Sequence, residues 1–146
     1  MEVSIITSPL ELHLHGFGAV AANKDYVGRA FELSRKTWEL VKSHGIKNKG
    51  KNIWVYEDDH HVFAGLELEN NDDPNRFGLQ EKKIVIEKYA YCKHIGPYQL
   101  IKQAGQNMKA ELTRDGFTVI APYIEIYGHW TGDEAKSETE LIMGLQ

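Results

Sequence analysis

Three observations predict an α+β fold of duplicated β-α-β-β units, with antiparallel sheets carrying two helices on one side and a central ligand cleft. Two stretches of helical period, each closed by a glycine, are each followed by two short alternating stretches. Landmarks recur at a fixed offset: Gly45 and Gly116, Trp54 and Glu125, and Tyr56 and Tyr127 are each 71 residues apart. Aromatic residues also crowd one side of the alternating stretches, which a plain solvated sheet does not need.

Residues 10–22 form an extended stretch, with Leu12, Leu14 and the small residues Gly16, Gly18, Ala19 and Ala21 suggesting a strand bent near its glycines. A helix follows, capped by Asn23 or Asp25, with Val27, Ala30, Phe31, Ser34, Trp38 and Val41 near 3.6-residue spacing until Gly45 stops it. A basic, glycine-containing loop over 47–51 leads to two short strands, 52–57 and 61–68, around an Asp58-Asp59-His60 turn. Asn-Asn-Asp-Asp-Pro-Asn within residues 70–78 is the clearest break and reads as a linker.

The second unit opens with one alternating strand over 83–94. Gly96-Pro97 starts a helix whose buried stripe is Leu100, Ile101, Ala104, Met108 and Leu112, and Gly116 ends it. Strands over 119–128 and 138–145 flank a polar loop, and Gly144 matches Gly65 at an offset of 79, because this hairpin carries the longer loop, which holds Trp130. The chain therefore reads as one domain, 1–146, of pseudo-repeats 1–69 and 79–146 joined by the linker 70–78.

Composition narrows the function classes. A chain of 146 residues, 42% hydrophobic and 26% charged, can bury its own core. A net charge of −4 gives no footprint for nucleic acid or for an acidic membrane. There is no basic start and apolar run of a signal peptide, and no segment near the ~20 apolar residues that span a bilayer, so a cytoplasmic location is expected. The single cysteine, Cys92, excludes an internal disulfide and reads as a small core residue.

The chemistry centres on Ala121-Pro122-Tyr123-Ile124-Glu125-Ile126-Tyr127-Gly128-His129-Trp130. In an extended segment Tyr123, Glu125 and Tyr127 share one face and Ile124 and Ile126 the other. A carboxylate between rings is poorly hydrated and calls for a partner, although the same alternation also describes an ordinary half-exposed strand. With the helices placed over Ile53, Val55, Ile124 and Ile126, the opposite face would line a cleft with Trp54, Tyr56, Phe63, Tyr89, Tyr91, Tyr123, Glu125 and Tyr127. The repeat sets a ring, Trp54, where the other half has the charge of Glu125.

At Lys93-His94-Ile95-Gly96-Pro97-Tyr98, at Pro122-Tyr123-Ile124-Glu125-Ile126-Tyr127 and at Glu138-Thr139-Glu140-Leu141, the chain resembles the GyrI-like small-molecule-binding family. That family is related to the effector-binding domains of multidrug-sensing and AraC-type regulators. The resemblance implies a central pocket for hydrophobic, often cationic compounds, with a key glutamate at the position of Glu125. It further implies two activities among stand-alone members. One is toxin protection, including hydrolysis of the cyclopropane ring of DNA-alkylating compounds, for which Glu125 with Tyr127 or Tyr91 would be catalytic and Trp54 and Trp130 stacking platforms. The other is a non-catalytic interaction with a protein partner such as a topoisomerase.

Other motifs weigh less. Gly96 and Pro97 suit a strand-to-helix corner, where His94 and Tyr98 can simply pack, and Glu140 can face either the cleft or solvent. His13 and His15 share a strand face and His60-His61 follows two aspartates, yet neither pair has a third ligand at a usual spacing, so no metal is expected. No phosphate-binding glycine motif or nucleophile elbow occurs, and no cofactor is expected.

Overall fold

The computed structural model describes residues 2–71, 77–128 and 132–146. In chain order the elements are β1 (Ser4–Ile6), β2 (Leu10–Val20), α1 (Tyr26–His44), β3 (Asn52–Tyr56), β4 (His61–Leu66), β5 (Gln80–Ile86), β6 (Tyr89–Ile95), α2 (Ile101–Arg114), β7 (Val119–Tyr127) and β8 (Glu138–Leu145). The fold is α+β, with one eight-stranded sheet ordered β1-β6-β8-β7-β3-β4-β2-β5 and antiparallel at every pairing.

The order is symmetric about its centre. On either side of the β3–β7 pair come β4 then β2 and β8 then β6, and each edge strand precedes in sequence the strand next to the opposite edge. At the centre Ile53 faces Ile126, Trp54 faces Glu125 and Val55 faces Ile124. A pseudo-two-fold axis thus passes beside the Trp54–Glu125 pair.

The stretch over 83–94 is two strands rather than one. Both alternate apolar and polar residues, so periodicity runs on across the break at Glu87 and Lys88, yet β5 lies at one edge of the sheet and β6 beside the other. Two residues span only ~7 Å, so the sheet must curl to bring its ends together. Its inner face then packs on itself: Leu12, Leu14, Ile53, Val55, Phe63, Ile84, Ile86, Ile124, Ile126 and Ile142 form one cluster without a helical residue.

Both helices lie on the other face, which corrects the expected arrangement. Helix α1 buries Ala30, Leu33 and Val41 against Phe17, Trp54, Val62, Ala64 and Leu66, and α2 buries Ile101, Ala104, Met108 and Leu112 against Ala90, Cys92, Leu141, Met143 and Leu145. Ile53, Val55, Ile124 and Ile126 need no helix, because the curl supplies their cover. Alternation separates the faces of a strand but does not say which one a helix takes.

Local signals explain the helix ends. Asp25 caps α1 by accepting from the Gly28 N–H at 3.1 Å, and Gly45 closes it in the left-handed region at φ 61°. Gly96, at φ 140°, allows the corner into Pro97, a 3-10 turn over Tyr98–Leu100, and then α2. Thr37 fastens α1 to the sheet, its hydroxyl donating to the carbonyls of Leu33 at 2.8 Å and Ala64 at 3.1 Å.

Candidate functional site

Between the two helices a stretch of β3 and β7 forms the floor of a cleft of about 1020 Å³. Strand β7 contributes Tyr123, Glu125 and Tyr127, and β3 contributes Asn52, Trp54 and Tyr56. One wall carries Tyr26, Val27 and Phe31 of α1. The other carries Tyr98, Ile101, Lys102, Gly105, Gln106 and Lys109 of the α2 segment.

Glu125 is buried at 8% exposure. Tyr127 donates to its Oε1 at 2.7 Å and Tyr123 to its Oε2 at 2.8 Å. Tyr56 reaches Oε1 at 3.5 Å, the limit of a hydrogen bond. Among the described residues no cationic side chain forms an ion pair with this carboxylate. The phenols stay protonated donors: burial first, then the negative charge of Glu125, then the hydrogen bond to it, push Tyr56, Tyr123 and Tyr127 well above the ordinary tyrosine range.

Rings frame the carboxylate. Trp54 meets Tyr127 edge-on at 4.9 Å and Phe31 at 5.0 Å, Tyr56 stacks on Tyr123 at 5.8 Å, and Tyr98 meets Tyr127 edge-on at 5.8 Å. The Trp54 indole N–H is buried and has no acceptor among the described residues. Asn52 is held at the side by the Ser34 hydroxyl at 3.2 Å and the Trp38 indole N–H at 3.3 Å, both donating to its Oδ1.

The expected site residues divide between the two faces of the sheet. Glu125, Tyr127, Tyr123, Tyr56 and Trp54 converge in the cleft. Phe63, Tyr89 and Tyr91 belong to the inner face, where Phe63 pairs with Val55 and Tyr91 with Ile142. Tyr91 donates to Glu140 there at 2.7 Å, so neither of these two groups reaches Glu125. Trp130 falls outside the described residues.

The walls held residues that strand patterning could not supply. Phe31 and Val27 were read only as part of the 3.6-residue spacing of α1, and they are 62% and 56% exposed at the cleft. Two exposed apolar residues four apart on a helix were the available signal, and they look the same as core positions until the helix is docked. Tyr98 is not merely packed at its corner but turns onto Tyr127.

No protein-family model matches the chain, and no curated protein matches it. Among solved structures it is similar to the EcmrR C-terminal domain, with 14% identity and a TM-score of 0.73 over 99% of this chain and 97% of that one. It is similar to SAV2435 bound to tetraphenylphosphonium, with 17% identity and a TM-score of 0.67 over 100% and 94%. It is also similar to a hydrolase from Listeria innocua, with 11% identity and a TM-score of 0.59 over 99% and 92%. At these identities the likeness is one of fold.

Proposed function

We propose that this chain binds hydrophobic, cationic aromatic compounds in the cleft between α1 and α2, as a GyrI-like domain that sequesters toxic molecules. The observation that carries this reading is Glu125, a buried carboxylate ringed by tyrosines with no cation paired to it among the described residues. Burying a carboxylate costs several kcal/mol unless hydrogen bonds and an opposite charge compensate. The phenols supply the first part, and a ligand cation supplies the second.

Two well-formed bonds and one long one leave Glu125 with about one of its roughly four acceptor directions free. That suits a delocalised cation held by charge and ring faces, at ~0.5–2 kcal/mol for each cation–π contact. SAV2435, a neighbour in fold, binds such a cation, tetraphenylphosphonium. Titrating tetraphenylphosphonium into the protein is expected to change tryptophan fluorescence and raise the melting temperature, with Glu125→Gln weakening binding at least ~10-fold. Absence of both responses in the unmodified protein removes the proposal.

A second reading has one observation in its favour, the close pairing of Glu125 with Tyr123 and Tyr127 hydroxyls. In it Glu125 takes a proton from water while the water oxygen bonds to a carbon of a strained, electrophilic ring. The ring C–C bond breaks toward a conjugated oxygen, to which Tyr127 or Tyr123 donates a hydrogen bond by turning its one hydroxyl proton away from Glu125. Here Glu125→Gln should cut turnover of a cyclopropane-containing electrophile at least ~100-fold while the neutral compound still binds. Unchanged turnover would exclude the carboxylate as base.

A further inference from the structure

Outside the lining of the cleft, at the β2–β5 edge of the sheet, the strand register assembles a constellation that the linear sequence hides. His13 and His15 stand two apart on β2 and so share a face, and antiparallel pairing sets Glu81 of β5 directly opposite His15. No spacing rule would join Glu81 to the two histidines, because 66 residues separate it from His15.

We propose that His13, His15 and Glu81 form a binding site for a divalent transition-metal ion of the zinc class. The Nε2 atoms of His13 and His15 lie 3.0 and 3.7 Å from the same Glu81 oxygen, Oε2. One donor atom from each residue can be chosen so that all lie within 4.8 Å of one another, and this is the metal-competent group of three found among the described residues. Zinc binds imidazole nitrogen and carboxylate oxygen at ~2.0–2.2 Å, so donors around a tetrahedral ion stand about 3.3–3.5 Å apart. The separations bracket that value, and small side-chain rotations close the rest.

The surroundings suit an ion entered from one side. His15 has a fully buried side chain, whereas those of His13 and Glu81 are 25% and 37% exposed. The imidazole rings stack at 5.0 Å, which holds both toward one point. Lys83 approaches the other carboxylate oxygen, Oε1, at 3.9 Å and is 68% exposed, so it neither blocks Oε2 nor is trapped there. Three protein ligands leave one position for water, and two imidazoles with one carboxylate favour zinc or a similar ion over magnesium or calcium. The ion would tie the edge strand β5 to β2.

The test uses the full, untagged chain stripped of metal and then titrated with zinc chloride, followed by calorimetry and thermal melting, with cobalt(II) absorption as a report on coordination. Expected are one ion per chain, a raised melting temperature, and a visible cobalt spectrum of low-coordinate type. His13→Gln and Glu81→Gln, both at partly exposed positions, should each weaken zinc at least ~100-fold, and His61→Gln should leave it unchanged. The proposal is overturned if no stoichiometric zinc binds, which would leave Glu81 as a contact of the two imidazoles and nothing more. It is equally overturned if His13→Gln and Glu81→Gln bind zinc as tightly as the unmodified chain.

Discussion

Tyr123 and Tyr127 flank Glu125 at two residues' distance on one strand, so the pleat alone brings both hydroxyls to the carboxylate. The cost of burying the charge is thus offset within β7, before any helix docks. Removing one donor leaves the buried carboxylate short of a partner, and a hydrogen bond to a charged group contributes ~1.5–3 kcal/mol. Tyr127→Phe is expected to lower unfolding free energy by about that amount in urea titrations, and an unchanged midpoint would mean that water replaces the phenol. The raised tyrosines also set an alkaline limit. Folded Tyr56, Tyr123 and Tyr127 keep their protons where unfolded tyrosines lose theirs, near pH ~10, so the folded state binds more protons above that pH. Stability is fully present below pH ~10 and falls as pH rises beyond it. Phenolate absorbance should therefore show these tyrosines ionising together with unfolding, not before it.

At the scale of elements, two glycines permit the close approach on which the first half depends. Gly16 of β2 pairs with Gly65 of β4, and a Cβ at Gly65 would fall 2.6 Å from the His15 carbonyl oxygen. Backbone cannot retreat there without tearing the ladder that also anchors Thr37, so Gly65→Ala should destabilise by ~3 kcal/mol or more, visible as a lowered melting temperature. Gly105 plays a different part. It sits in α2 over the cleft, and a Cβ would stand 3.2 Å from the Tyr123 hydroxyl. Alanine gains ~1 kcal/mol of helix propensity there but presses on a phenol that donates to Glu125. Gly105→Ala is expected to keep the melting temperature within a few degrees while weakening tetraphenylphosphonium. Equal affinity would show that the helix shifts to make room.

Across the whole molecule, the inner-face cluster takes residues from both sides of the β3–β7 pair, and each edge strand completes the far half of the sheet. Neither half keeps its neighbours alone, so one cooperative transition is expected, with tryptophan fluorescence and far-ultraviolet circular dichroism coinciding. Ile124→Ala, at a fully buried position beside Val55, should move both signals together, at a cost of ~2–5 kcal/mol. Separate midpoints would show that the halves unfold independently.

The sequence by itself determined what local chemistry controls. Asp25, Gly45, Gly96, Pro97 and Gly116 mark the helix ends because caps and left-handed turns depend on a few adjacent residues. The alternation of β7 likewise put Tyr123, Glu125 and Tyr127 together, since the period of a strand is fixed at two. Only the tertiary structure decided which face the helices cover, that Phe63, Tyr89 and Tyr91 turn inward, that Phe31 and Tyr98 wall the cleft, and that Glu81 meets two histidines. Each of these depends on register and curl, which arise from contacts between distant segments; a pattern along the chain records the faces of an element but not the partner that each face will find.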